Sequence, residues 1–196
     1  MPERYIYTYA RGRFGFSILV ARQSYDNDCH LVYATLGSNP DAMRKESELF
    51  LAHKFKELGA AFKIEEDIGD ELVELKNNFE LLLEGKPSKV IEFDFVYGTD
   101  FQKSVWKEIN SVQWGNTTTY KRIATKVGRP RASRAVANAC GTNPLPILIP
   151  CHRVLGSKGS LGGYKWGTQM KIKLLEIEGS AQFEKEATTT FQSLPK

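Results

Sequence analysis

Between Ile109 and Leu175 the sequence contains no aspartate and no glutamate. These 67 residues hold 11 lysines and arginines, while the rest of the chain holds 16 basic and 23 acidic residues. A formal net charge of +4 therefore conceals a strongly basic segment beside an acidic remainder, and such asymmetry points to a polyanionic partner for the basic part. A solvated basic face does not easily explain so long a run without a carboxylate. Cysteine is scarce as well. Cys29, Cys140 and Cys151 form an odd, sparse set that does not look like a disulfide framework and suits a reducing compartment. Long apolar runs are missing: Phe14 to Ala21 and Leu145 to Pro150 fall far short of the roughly 20 residues a membrane span needs, and Met1-Pro2-Glu3-Arg4 lacks a signal-peptide core. An intracellular protein with no membrane partner is expected, nuclear in a eukaryote, cytoplasmic or nucleoid-associated in a prokaryote. Adjacent Cys-His pairs, Cys29-His30 and Cys151-His152, make a zinc site conceivable but lack the usual ligand spacing, so no metal is expected.

What is present reads as a soluble globular chain of one or two domains, 41% hydrophobic and 26% charged, without internal repeats. Tyr5 to Tyr9, Phe14 to Val20 and Leu31 to Leu36 are rich in aromatic and β-branched residues and are divided by Gly12 and the polar Ser24 to Asp28 turn, which predicts three strands. Asn39-Pro40-Asp41 starts a helix to about Leu58. Asp70 starts another, with Leu72, Leu75, Phe79 and Leu82 or Leu83 at helical spacing before Gly85. Gly85-Lys86-Pro87-Ser88 reads as a linker, followed by a short extended piece at Phe93 to Phe95. The expected fold class is α+β: a small N-terminal domain of strands then helices over 1–90, a mostly helical domain with a helix-turn-helix over 91–180, and a loosely ordered tail over 181–196.

In the second domain, Thr99 or Asp100 caps a helix with Phe101, Val105 and Ile109 on one face. Thr118 or Thr119 caps a short helix with Ile123, Ala124 and Val127 inward, ended by Gly128. Pro130 as a first helical residue and Gly141 as a stop predict a second short helix, Arg131 to Cys140. Both are basic, and a helix, glycine turn and helix make a helix-turn-helix pattern. Seven of the ten residues Ala132 to Gly141 are Ala, Ser, Cys or Gly, so this helix can approach another surface closely. Arg131 and Arg134 interrupt the small residues with guanidinium groups that belong with phosphate or stacked bases rather than in a core.

Pro150-Cys151-His152-Arg153 sets a thiol beside an imidazole in the middle of the acid-free segment. Cysteine attacks as the thiolate, and a neighbouring base or cation draws its pKa down from about 8.5. Adjacent side chains on an extended segment point to opposite faces, which makes a water between thiol and imidazole plausible. The first acids after the segment, Glu176 and Glu178 in a helix Thr168 to Glu178, can orient the imidazole.

Thr119-Tyr120, Arg134-Ala135-Val136, Asn143-Pro144, Pro146 to Val154, Gly163-Tyr164 and Glu178 together resemble the O6-methylguanine-DNA methyltransferase family, over roughly Phe101 to Gly179. The Pro-Cys-His-Arg-Val core is highly specific to that family, and Tyr164-Lys165-Trp166-Gly167 is closer to its bacterial and fungal members than to mammalian ones. The resemblance implies direct reversal of damage. Cys151 takes the alkyl group from O6 of guanine in duplex DNA, and O4-alkylthymine is a further expected substrate; the transfer is irreversible, single-turnover and without a cofactor. It also implies that Glu178 orients His152, which takes the Cys151 proton through a water, and that Tyr120 crowds the backbone phosphate and donates to guanine N3. Arg134 is implied as the finger filling the gap left by the flipped base, with Arg131, Ala132, Ser133, Ala135 and Lys121 along the DNA. Asn143 is implied as the hinge, Cys151 and Val154 as backbone acceptors for the guanine amino group, and Tyr164 and Lys165 as pocket residues. Lys165 stands where mammalian members have serine, which leaves the backbone N–H there as the contact to O6.

The implied partner is double-stranded DNA containing alkylated guanine, bound by a monomer. Three other readings compete: a lesion sensor without transfer, which would replace the reactive cysteine; a sequence-specific regulator, which would carry long polar side chains on its recognition helix; and a papain-like hydrolase, which would need a histidine after the cysteine at a distance, whereas His30 and His53 lie upstream.

Overall fold

The first two strands form a hairpin whose register is set by glycine. β1 (Arg4–Gly12) pairs antiparallel with β2 (Gly15–Gln23), from Arg4 opposite Gln23 to Gly12 opposite Gly15. Gly15 has φ +105°, and a Cβ there would lie 2.7 Å from the Gly37 carbonyl oxygen, so only glycine closes this turn. β3 (Cys29–Gly37) continues antiparallel from β2, and β4 (Ile64–Glu66) adds parallel to β1, giving the order β3-β2-β1-β4. The computed structural model describes residues 4–24, 28–59 and 62–180. Part of the expected 24–28 turn and the whole of the expected 181–196 tail lie outside the described residues.

Both faces of this sheet are covered, which explains why Ser17 to Ala21 and Leu31 to Leu36 are buried without alternation. Neighbouring strand residues point to opposite faces. On one face Tyr5 packs edge-on against Phe55 of α1 (Pro40–Glu57), with Phe62 stacked beside it. On the other Ile6 and Ala21 cluster with Leu72 at the start of α2 (Val73–Leu83). Asn39 caps α1 by accepting from the Ala42 N–H, with Pro40 at the first helical position as the sequence predicts.

Asp70 does not start α2. It has φ 57°, and the turn before the helix is held instead by the Asp67 carboxylate, which accepts from the backbone N–H groups of Glu71 and Leu72, so the helix begins at Val73. β4 is an element the sequence reading lacks; it is three residues long and two of them are exposed acids.

Two compact units result, dividing at Gly98/Thr99 rather than at 90/91. The physical reason is the chain after α2. Leu31 N–H donates to Glu92 O and Asp94 N–H to Leu31 O, so the extended piece around Phe93 is tied to β3. Pro144–Leu148 also belongs with the first unit, where Ala34 N–H donates to Pro144 O.

The second unit opens with α3 (Asp100–Asn110), capped by Thr99 in a reciprocal capping box with Gln102. Val105, Trp106 and Ile109 are its buried face, and the Trp106 indole N–H donates to Ala139 O at 2.8 Å. β5 (Thr118–Thr119) runs parallel to β6 (Val154–Leu155), a pairing that the sequence reading also lacks. Thr119 then caps α4 (Tyr120–Lys126), and α5 (Ser133–Gly141) follows after a turn. This is the expected helix-turn-helix with one change at each end of its second helix. Pro130 and Arg131 lie in the turn, closed by Ala132 N–H to Arg129 O, so the helix starts at Ser133; Gly141 is its last residue and Thr142 the C-cap. α6 (Thr168–Ile177) completes the unit, with Glu178 at its C-cap.

Candidate active site

Cys151, His152 and Arg153 form one turn of 3-10 helix, not the extended segment expected from the sequence. Pro150 supplies the bend, and Arg153 N–H donates back to its carbonyl oxygen. Three residues per turn spread the side chains around the axis instead of alternating them. Cys151 therefore faces a cavity while His152 and Arg153 both turn to Glu178.

The cavity has a volume of about 320 Å³ and is lined by Cys151, Tyr120, Tyr164, Lys165 and, from α5, Ala137, Asn138, Cys140 and Gly141. Tyr120 reaches it because β5 pairs with β6, which fixes the first residue of α4 beside the Cys151 turn. Gly162 packs against this tyrosine. Its φ is 63°, and a Cβ there would come within 3.2 Å of the Tyr120 hydroxyl.

Asn143 donates from Nδ2 to Ile149 O at 2.8 Å and to Cys151 Sγ at 3.2 Å, so one amide spans from the end of α5 to the active-site turn. Burial pushes the Cys151 thiol above its ordinary value, while the Asn143 hydrogen bond and the Lys171 charge pull it down less strongly. The sequence expectation of a lowered pKa is thus reversed by desolvation.

The next residue in the turn carries an imidazole. His152 is buried, and its Nε2 lies 2.7 Å from Glu178 Oε1. An ionised carboxylate can only accept, so the ring proton sits on Nε2 and Nδ1 presents a lone pair. Nδ1 has no hydrogen-bond partner among the described residues. Burial holds the imidazole below its ordinary pKa, and this outweighs the opposing Glu178 bond and charge. Burial also pushes Glu178 upward, but its hydrogen bonds from His152 and Arg153 prevail and its carboxyl stays below the usual range. The Tyr120 hydroxyl is pushed up to about 12, chiefly by burial and then by the two cysteines, so it remains a hydrogen-bond donor.

Two buried charged side chains of the site escaped the sequence reading. Arg153 grips both oxygens of Glu178, with Nε to Oε2 at 2.8 Å and Nη2 to Oε1 at 3.0 Å. Lys171 is fully buried; its ammonium donates to Val154 O at 2.7 Å and Leu161 O at 2.5 Å, and burial lowers its pKa to about 8 despite the opposing pull of Cys151 and Cys140. A signal for it existed, because Lys171 shares the helical spacing of Leu174, Leu175 and Glu178 and so lies on the buried stripe of α6.

The remaining sequence candidates divide cleanly. Val154 is buried beside the turn with its carbonyl engaged by Lys171. The hydroxyl of Tyr164 is buried and without a hydrogen-bond partner among the described residues. Arg131, Arg134, Ala135 and Lys121 are exposed, and Ala132 and Ser133 are half-buried; none of these six lines the cavity. No cluster of metal-ligating side chains occurs among the described residues, and no helix among them is long and apolar enough to cross a membrane.

Comparison with known proteins gives a consistent result. Residues 100–180 match the family model described as the 6-O-methylguanine DNA methyltransferase DNA-binding domain. The methylated-DNA–protein-cysteine methyltransferase of Saccharomyces cerevisiae is 37% identical over 190 residues, covering 91% of this chain and 95% of the yeast protein. Among solved structures, the O6-methylguanine methyltransferase of Mycobacterium tuberculosis superposes with a TM-score of 0.66 at 27% identity, covering 91% of this chain and 94% of its own. The mycobacterial protein in complex with DNA gives 0.65 at 26% identity over 92% of this chain and 99% of its own.

Proposed function

This chain belongs to the methylated-DNA–protein-cysteine methyltransferase family, and we propose that Cys151 is the cysteine that receives the alkyl group. The enzyme performs direct-reversal DNA repair. O6-alkylguanine is its substrate in duplex DNA and O4-alkylthymine a second one; it acts as a monomer, in the nucleus if eukaryotic and in the cytoplasm or nucleoid if not. The observation that carries the assignment is the Cys151 sulfur in the wall of a cavity, touched by the Asn143 amide at 3.2 Å and backed by the His152–Glu178 pair at 2.7 Å.

In the reaction, sulfur attacks the alkyl carbon in line with O6. The S–C bond forms as the C–O6 bond breaks, and the thiol proton passes to His152 Nδ1 through a water. The electron pair left on O6 spreads over the guanine, and a hydrogen bond from Tyr120 to N3 limits the charge that accumulates. The guanine regains a proton, so alkyl group and proton have exchanged partners. A thioether is a poor leaving group, and one chain repairs one lesion. Asn143 holds the end of α5 to the active-site turn, while Tyr164 and the backbone N–H of Lys165 bound the purine site.

The target base must leave the stack before it can meet the sulfur, which costs a few kcal/mol. Arg134, exposed one residue into α5, fills the vacated position. Arg131, Ala132, Ser133, Ala135 and Lys121 lie along the duplex, where small side chains permit close approach and basic ones meet phosphate. Arg134→Ala is therefore expected to slow repair of an O6-methylguanine duplex by roughly tenfold to a hundredfold, taking about 1.4 kcal/mol per factor of ten. Reaction with free O6-benzylguanine, which needs no gap filler, should stay near the wild-type rate. Equal losses on the two substrates would remove Arg134 from this role.

A further inference from the structure

One buried charge in the site takes no part in the chemistry so far described. Arg153 is 8% exposed, and besides its two bonds to Glu178 it donates from Nη1 to Val112 O and lies over the Trp114 ring, 5.5 Å from the centroid. Glu178 consequently accepts from three donors: His152 Nε2 and Arg153 Nη2 on Oε1, and Arg153 Nε on Oε2. A guanidinium fork fixes the plane of a carboxylate as well as its charge, which a single ammonium does not.

We infer that Arg153 is a positioning residue for the transfer proposed above: its fork holds the Glu178 carboxylate ionised and oriented, and its charge keeps His152 as the neutral Nε2–H tautomer whose Nδ1 accepts the Cys151 proton. The inference rests on that reading of Cys151 and His152. In a dry site a lone carboxylate beside an imidazole draws a second proton onto the ring, and an imidazolium has no lone pair with which to take another. With Arg153 in place the carboxylate is already neutralised, so protonating the ring would add net positive charge to a buried site.

The other groups around the ring act in the same direction or not at all. Lys171 from α6 disfavours the imidazolium, as Arg153 does, and Glu178 alone favours it. The segment after α3, Ser111 to Thr117, carries no charged side chain, and its Val112 carbonyl and Trp114 ring contact Arg153. Cys151 on the same turn feels Lys171 and Lys165.

The test is the pH dependence of benzyl transfer from O6-benzylguanine to the full-length chain, followed for wild type, Arg153→Met and Arg153→Lys. In wild type the low-pH loss of rate should fall below the ordinary imidazole value of about 6.5. In Arg153→Met it should move upward by at least about one pH unit, because the carboxylate is no longer neutralised. Arg153→Lys, which keeps the charge and loses the fork, should return most of that shift. A strut of purely structural importance would lower the rate by one factor at every pH and leave the midpoint in place, and that result would overturn the inference.

Should Arg153→Met fail to fold, the wild-type protein supplies an independent reading. It has three histidines, so the ring nitrogens of His152 can be identified by nitrogen-15 NMR, and they should report a neutral ring with its proton on Nε2 at pH 7. A doubly protonated ring would refute the role of Arg153. If wild type accepts no benzyl group at Cys151, the transfer reading itself is wrong, while the state of the His152 ring still decides what Arg153 does.

Discussion

Cys151→Ala should leave no detectable transfer of a methyl group from O6-methylguanine DNA to the protein, while DNA binding persists. The loss should be complete because no second nucleophile is equipped to replace the first. Cys140 lines the same cavity, but burial alone pushes its thiol far above the ordinary value, and the imidazole belongs to the turn that carried the other cysteine. Binding should survive because the basic, exposed residues of α4, α5 and the turn between them are untouched. Stoichiometric methylation of the variant would move the acceptor to Cys140 and refute the assignment.

Glu178→Gln should cost roughly a hundredfold to ten-thousandfold in transfer rate, the range over which a positioned base ordinarily contributes. The substitution is nearly isosteric, so the loss comes from proton placement. A Gln can still accept from Arg153 with its oxygen, which turns its NH2 toward His152 Nε2. That nitrogen must then be the acceptor, and the ring proton moves to Nδ1, where it blocks the route for the Cys151 proton. An amide in place of the carboxylate that orients a catalytic histidine fails in serine proteases through the same tautomer error. Single-turnover kinetics with an alkylated oligonucleotide would measure it, and a loss below tenfold would mean that the imidazole is not the proton acceptor.

The reach of sequence reading here follows the range of the interactions involved. Caps are local: Asn39 before Pro40 needs only residues within one turn and stands where the sequence puts it, and of the two candidates Thr99 and Asp100 the structure takes Thr99. The amphipathic stripe Val105 to Ile109 is local too. Asp70 looked like a cap because its residue type is right, but Asp67, three positions earlier, holds the turn and leaves Asp70 with positive φ. β4 and the β5/β6 pair were invisible, since strands of two or three residues carry no periodicity and exist through partners far along the chain. The same holds for the boundary at Gly98/Thr99, which depends on Leu31 bonding to residues 92–94.

At the site, the residues that the structure groups were legible from the Pro150-Cys151-His152-Arg153 run and Glu178, because thiol, imidazole and carboxylate are recognisable types. Their arrangement was less so. A reading of Cys151 and His152 as extended neighbours gives way to a 3-10 turn, and that difference is what lets Arg153 reach the carboxylate bonded to His152. A single sequence also did not separate a surface arginine from one held on a buried acid: Arg134 and Arg153 both lie in the acid-free segment, yet one is exposed and the other is 8% exposed and bonded to Glu178.

The most direct measurement is the intact mass of the protein after incubation with an excess of an oligonucleotide bearing O6-methylguanine, followed by peptide mapping. One methyl group per chain should appear on the peptide containing Cys151, with one lesion repaired per chain and no further repair afterwards. Continued turnover by a fixed amount of protein, or a methyl group found anywhere other than on Cys151, would contradict a mechanism in which this sulfur is consumed.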